Sequence, residues 1–358
     1  MAEFQGYEMV AVGEPVRQTT RTMRALSASE VLVKVAGCGM CHTDLGFLYD
    51  GVPTRHPMPL ILGHEISGFV VEAGADHADL VGKAVVVPAV IPCGECPECQ
   101  AGRSMICKKQ VMPGNDQDGG FATHVVVPGR GLCVVPGDVT DADAPLSDKT
   151  GITLRHLSVI ADAVSTPYQA LERAGVESGG VVIIIGLGGV GGYADQLARA
   201  RGAYVVGVDI DPRKLESPAL HLALDPRESD ARTMRKQVSA FAREVGAPTT
   251  RWTLLECSGS PAGQETAFGM MVHGCTLGVV GYTPKKVTLR LSNLMAFDAR
   301  AIGNWGCAPE HYPAIVQLAL DGAIDLCDST EMRPLSDISK TFEDLHAHRL
   351  DRRVVLVP

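Results

Sequence analysis

Short runs of aliphatic and β-branched residues, separated by turn-forming residues, fill roughly the first 160 positions of the chain. Val31–Val35, Phe69–Glu72, Ala84–Val87 and Thr123–Val127 read as strands. Turn residues between them at short intervals predict an irregular, barrel-like β domain. From about 161 to 302 the pattern changes to VVIIIG, then VGGYADQLARARG, then YVVGVD. That sequence of strand, glycine turn, helix and strand predicts a parallel sheet with crossover helices. Beyond 303, Pro-rich segments and short apolar runs resemble the first stretch again. The predicted architecture is therefore α/β, with a doubly wound nucleotide-binding domain over 161–302 inserted into one β domain made of 1–160 and 303–358.

Composition narrows the class of protein. With 46% hydrophobic and 20% charged residues, 39 Gly and 22 Pro, a disordered chain, a coiled coil and a collagen-like repeat are excluded. A formal charge of −9 argues against a non-specific grip on nucleic acid or on a phospholipid surface. It leaves room for a local basic pocket that takes an anionic small molecule. The longest uncharged stretch, Ser178–Ala194, is rich in Gly and reads as strand, turn and helix, not as a membrane span. The first twenty residues show no basic region followed by an apolar one, so a secretory signal is not expected and a reducing cytoplasm is. In that setting the odd count of 11 Cys, five of them between Cys93 and Cys133, points to metal or chemistry before disulfides.

Cys93, Cys96, Cys99 and Cys107 are spaced C-x2-C-x2-C-x7-C. Four thiolates close a tetrahedral Zn²⁺ shell and leave no position for substrate, so the expected role is a structural zinc lobe over 93–107. An iron–sulfur cluster is the rival, but the usual cluster spacings differ in the last step.

A second group is weaker as a pattern. Cys41 lies in GCGMCHTDL and His64 in LILGHEISGFVVEAG. A catalytic zinc needs three protein ligands and an open fourth position. Asp162, near the start of the inserted domain, is the best placed third donor; the alternative for it is a helix N-terminal carboxylate. Gly186, Gly188 and Gly191 fit G-x-G-x-x-G, with Gly189 and Val190 inside the turn. A β-branched run before it and apolar residues at helical spacing after it give the context of a dinucleotide site. Asp209 ends the next strand, where an acid accepts hydrogen bonds from a ribose diol and repels a 2′-phosphate, so NAD is expected over NADP. Arg213 and Lys214 follow and can cover the adenosine side.

Together and in this order, GCGMCHTD, LGHEISGFVVEAG, the four-Cys lobe, GGFATHVVVP, GLGGVG and VDID resemble the zinc-dependent medium-chain alcohol dehydrogenase family over nearly the whole chain. The resemblance implies a GroES-like catalytic domain, a Rossmann NAD-binding domain, two Zn²⁺ per chain and zinc-assisted hydride transfer from a secondary alcohol. It makes Cys41 and His64 ligands of the catalytic zinc and puts the third ligand at Asp162, where many members carry Cys or Glu. It places Glu65 beside the metal and makes the Thr43 hydroxyl the start of a proton relay. Several members end that relay in a His where this chain has Gly46, so the proton must leave through water, His42 or the cofactor ribose. The C-x2-C of Cys38 and Cys41 is either a redox pair or, as expected here, a buried strand thiol beside a ligand.

Three segments, IPCGECPECQAGRSMICKK, QVMPGNDQDGGFATHVVVP and LSVIADAVSTPYQAL, are further similar to dehydrogenases of cyclic hydroxyacyl-CoA thioesters from anaerobic benzoyl-CoA breakdown. That implies an acyl-CoA thioester as the small-molecule substrate, with Lys108, Lys109, Lys285, Lys286 and Arg290 as available cations. The family resemblance also implies a homodimer or homotetramer. The alternatives are a dehydrogenase of other cyclic alcohols or polyols, a zinc-free enone reductase, and an NAD-binding regulator without activity.

Overall fold

The computed structural model describes residues 3–358. Two compact units are present, one formed by the residues up to Ser165 together with Gly306–Pro358, the other by Thr166–Trp305. The cuts lie a few residues beyond the expected 160 and 302.

In the first unit, seven strands form one sheet. Its order is Thr330–Pro334, Arg353–Val357, Glu30–Gly39, Glu65–Ala73, Ala84–Val87 and Cys133–Val134, with His124–Pro128 also paired to Glu30–Gly39. All pairs are antiparallel except that of Thr330–Pro334 with Arg353–Val357. A smaller sheet joins Arg17–Thr22, Glu3–Met9 and Leu60–Ile61. The expected strands are present, longer than read at Glu30–Gly39 and Glu65–Ala73 and one residue later at His124–Pro128. Val33, Val35, Ile66, Val85, Val125 and Leu356 fill the core between them. Phe121 and Phe342 close it with an edge-to-face ring contact at 5.9 Å, the arrangement the ring quadrupoles favour.

The C-terminal stretch is more helical than its pattern suggested. It holds helices Tyr312–Leu320 and Ile338–His346 as well as two strands. Pro313 hid the first of them: it stands in the first helical turn, where its missing N–H costs nothing.

The second unit is a six-stranded parallel sheet, ordered Leu222–Leu224, Tyr204–Val208, Val181–Ile185, Thr253–Glu256, Thr276–Val279, Arg300–Gly303. Numbered along this unit, the order is 3-2-1-4-5-6, the doubly wound arrangement of dinucleotide-binding folds. Val181–Ile185 is buried at every position, as a central parallel strand covered on both faces requires. Trp252 is fully buried and donates its indole N–H to the Pro248 carbonyl at 2.9 Å. Helix Ala231–Glu244 is capped by Asp230, which accepts from the Thr233 N–H at 2.7 Å.

Candidate active site and metal centres

Strand Glu30–Gly39 runs beside Glu65–Ala73, with Gly39 opposite Glu65 and Cys38 opposite Ile66. This register brings the two ends that carry Cys41 and His64 together. Cys41 caps helix His42–Leu48, and its N–H donates to Asp44 at 3.0 Å. Gly63 turns the chain into His64 with φ +96°, a conformation that suits glycine; a side chain there would strike Cys38 and the Phe121 ring. Asp162 follows the short turn His156–Ala161, ahead of helix Ser165–Ala174.

Four donors gather here. Atoms of Cys41, His64, Glu65 and Asp162 lie within 4.8 Å of one another. The Asp162 carboxylate is 3.7 Å from the Cys41 sulfur and 3.5 Å from His64 Nε2. His64 is 1% exposed, and neither ring nitrogen has a hydrogen-bond partner. A buried imidazole with both nitrogens unsatisfied, facing a thiol and a carboxylate, is the chemistry of a metal site. Burial opposes charge on His64, yet Asp44, Asp162 and Cys41 outweigh it and hold its pKa well above the usual value. A metal ion must displace that proton, so affinity falls with acidity.

Two further residues, absent from the sequence reading, complete the arrangement. Asp44 is fully buried; it accepts from the Cys41 N–H and from the Gly63 N–H at 3.2 Å, and its carboxylate lies 3.4 Å from His64 Nδ1. It therefore ties the two ligand-bearing turns together and orients the ring, the role carboxylates play behind metal-bound histidines. Its signal was the spacing Cys41-x2-Asp44, a capping box. The second is Arg353, which grips both oxygens of fully buried Glu65, with Nε donating to Oε2 at 3.0 Å and Nη2 donating to Oε1. Burial pushes the Glu65 carboxyl up to about 7 against the pull of Arg353. Glu65 thus lies among the donors with its oxygens already engaged, while Cys41, His64 and Asp162 can hold a metal.

Around this cluster, Thr43 is exposed with its hydroxyl 3.6 Å from the Cys41 sulfur. The His42 ring stacks on His348 at 6.3 Å. Gly46 packs toward Val52. Cys38 is a free, buried thiol whose pKa is pushed up by burial, not half of a disulfide.

The second metal group is Cys93, Cys96, Cys99 and Cys107. Sulfur separations are 3.5 Å for Cys96–Cys99, 3.8 Å for Cys96–Cys107 and 3.5 Å for Cys93–Cys107. A tetrahedron with Zn–S bonds of about 2.3 Å has edges of about 3.8 Å, so the four thiols fit a zinc ion. Backbone N–H groups of Glu95 and Cys96 help draw the Cys93 thiol down to about 6, whereas desolvation and the neighbouring thiols push Cys99 up to about 12. A separate cavity of about 610 Å³, lined by Gln5, Tyr7, Arg155, Arg333 and Leu335 among others, contains none of these donors.

In the second unit, Gly186 ends its strand at φ +85°, where a side chain would strike the Ser258 backbone. A side chain at Gly191 would collide with the Gly186 carbonyl. Gly188 faces open space, its one near neighbour being Lys214 Nζ at 4.0 Å from a Cβ position. Gly189 and Val190 lead into helix Gly191–Ala200, whose N-terminal end faces the turn. The open Gly188, the helix end and the ammonium group together suit a pyrophosphate. Asp209 is buried just past its strand; its carboxylate accepts from the Leu187 N–H at 2.6 Å and the Asp211 N–H at 2.8 Å. Lys109 is engaged by Glu95 at 3.2 Å, and Arg290 by the Ser292 hydroxyl at 3.2 Å. Among the described residues, no helix is long and apolar enough to cross a membrane.

Residues 27–137 match the alcohol dehydrogenase GroES-like domain, and residues 189–321 match the zinc-binding dehydrogenase domain. The chain is 31% identical to L-threonine 3-dehydrogenase of Thermococcus kodakarensis over 75% of its length and 73% of that protein. It is 29% identical to an alcohol dehydrogenase of Geobacillus stearothermophilus, covering 92% and 93% of the two. Among solved structures, galactitol-1-phosphate dehydrogenase from Escherichia coli superimposes with a TM-score of 0.84 at 25% identity, covering 99% of this chain and all of that one.

Proposed function

We propose a specific activity from the premise that this chain belongs to the zinc-type medium-chain alcohol dehydrogenase family. It is an oxidoreductase acting on CH–OH, a zinc-dependent dehydrogenase of a secondary alcohol. The finer reading has three parts: a catalytic zinc on Cys41, His64 and Asp162 and a structural zinc on Cys93, Cys96, Cys99 and Cys107; NAD⁺ as hydride acceptor; and a 6-hydroxycyclohex-1-ene-1-carbonyl thioester of coenzyme A as substrate, oxidised to the 6-oxo compound.

The observation that carries the chemistry is the convergence of Cys41 and Asp162 on the buried His64 imidazole, whose ring nitrogens make no hydrogen bond. A zinc ion held there would supply Lewis acidity toward the alcohol, and a nicotinamide dinucleotide would supply the acceptor for its hydride. The chain's own residues do the rest. Cys41 and Asp162 contribute two negative charges, which balance a divalent ion. Asp44 fixes the His64 ring, and Arg353 keeps the Glu65 carboxylate turned to itself. The Thr43 hydroxyl, exposed beside Cys41, takes the alcohol proton outward to water or toward His42. The segments IPCGECPECQAGRSMICKK, QVMPGNDQDGGFATHVVVP and LSVIADAVSTPYQAL support an acyl-CoA thioester as the substrate. A homodimer or homotetramer is expected from the family.

Zinc content per chain should be measured alongside NAD⁺ reduction by three alcohols: the cyclohexenyl thioester, a plain cyclic alcohol and a sugar alcohol. Two zinc ions with turnover of the thioester are expected. Turnover of the plain or sugar alcohol alone would keep the chemistry and discard the thioester; one zinc and no alcohol turnover would discard both.

Asp209 carries the preference for NAD⁺. Asp209→Ser should lower the ratio of kcat/KM for NAD⁺ over NADP⁺ at least about tenfold, because a carboxylate facing the ribose hydroxyls is lost. Equal losses with both cofactors would reduce Asp209 to its hydrogen bonds with Leu187 and Asp211.

A further inference from the structure

Helix Gly191–Ala200 turns an apolar face inward through Ala194, Leu197 and Ala198, and Asp195 is buried beside them at 1% exposure. A carboxylate in such a place loses its hydration, and burial pushes its pKa up to about 6. Its hydrogen bonds come from the Gln196 N–H at 2.6 Å and the Ser217 hydroxyl at 2.7 Å, neither of them charged. Packing alone favours an aliphatic side chain here.

Ser217 belongs to the segment that leaves strand Tyr204–Val208. That segment begins with Asp209, carries Lys214 in a single turn over Lys214–Glu216, and stops at Ser217, which is extended with ψ 127° ahead of Pro218. It cannot continue as a helix, so it needs attachment points. One is Asp209, bonded to the Leu187 N–H inside the glycine turn. The other is Asp195, one helical turn beyond Gly191. Between these anchors, Lys214 Nζ stands over Gly188.

We propose that Asp195 is a positioning residue for the dinucleotide: through Ser217 it holds the segment 209–217 so that Lys214 stays over the glycine turn and Asp209 stays at the ribose. This rests on the reading that the glycine turn binds a nicotinamide dinucleotide. Stability is given up for cofactor affinity, and that opposition of signs separates the proposal from a packing role.

The test is direct titration of NAD⁺ into the metal-loaded protein, with melting temperatures measured in parallel. Asp195→Val should keep or raise the melting temperature of the cofactor-free protein. It should also raise the Kd for NAD⁺ about tenfold, the worth of one charge-assisted hydrogen bond, with kcat at saturating NAD⁺ unchanged. Ser217→Ala should weaken binding to the same extent. The double variant should lose no more affinity than either single change, because the Asp195–Ser217 bond is the one that both remove. Asp195→Asn, still able to accept from Ser217, should recover most of the affinity. A lower melting temperature with an unchanged Kd, or additive losses in the double variant, would overturn the proposal. Wild-type protein that binds no nicotinamide dinucleotide would overturn the underlying reading as well.

Discussion

Asp162→Asn is expected to hold about one zinc ion per chain against an expected two for the wild type, and to lose more turnover than the roughly 10–100-fold that loss of a hydrogen-bond partner behind a metal ligand costs. The substitution keeps size and shape, so the turn His156–Ala161 and the helix from Ser165 should form as before. What changes is the donor set. An amide is neutral and presents either a weaker oxygen donor or an NH₂ group toward Cys41 and His64, which lie 3.7 and 3.5 Å from the present carboxylate. The site loses one negative charge, and the divalent ion loses half of its neutralising partners. The remaining zinc should be the one on the four cysteines, removable only with a stronger chelator and with loss of the 93–107 lobe's structure. Metal analysis, circular dichroism and NAD⁺ reduction on the same preparation check the three parts. Full zinc content together with full turnover would remove Asp162 from the site.

How far the sequence reveals this site depends on how local each part is. Cys93 to Cys107 sit within fifteen residues, so spacing alone suggests a closed metal shell. The glycine turn is equally local, since the strand before it and the helix after it are its immediate neighbours. Cys41, His64 and Asp162 are far apart along the chain. Their meeting depends on the antiparallel register that sets Gly39 opposite Glu65 and on the Ser67 hydroxyl, which donates to the Leu154 carbonyl at 2.6 Å and ties the approach to Asp162 to the same strand. Spacing offers no hint of that register; a family resemblance does. Asp44 was readable in principle as the third residue after a helix cap, but its second role, accepting from the Gly63 N–H, exists only once the strands pair. Asp195 broke the apolar pattern of its helix, yet a single acidic residue in an amphipathic helix is ordinarily a solvated one. Arg353 had no local signal at all: it reaches Glu65 only because Arg353–Val357 pairs with Glu30–Gly39, with Val355 opposite Gly39.

That long-range pair yields the second large expected effect. Arg353→Met should destabilise the metal-loaded protein by about 3–5 kcal/mol, the usual result of removing one partner from a buried ion pair. Methionine replaces most of the packing of the arginine stem, so the loss is chiefly electrostatic. Glu65 stays fully buried, and its carboxylate then lacks the two donors that satisfied it. Asp162 and Cys41 stand close by, but in the loaded protein the divalent ion balances their charge, so the loss is that of the Glu65–Arg353 pair itself. Glu65 escapes by taking up a proton, which burial already favours; stability of the variant should therefore fall as pH rises through the neutral range, where that proton is lost. The wild-type pair should show a smaller change over the same range. In a unit of this size the melting temperature should drop by about 10 °C. Adding Glu65→Gln to Arg353→Met should restore most of the loss, since a neutral amide leaves no uncompensated charge, whereas Glu65→Gln alone leaves the arginine buried without its partner and should also destabilise. Denaturant unfolding of the three variants at two pH values supplies the cycle. Additive effects of the two substitutions would mean that Glu65 and Arg353 contribute separately, and the ion pair would no longer explain why an arginine 288 residues away is buried at this site.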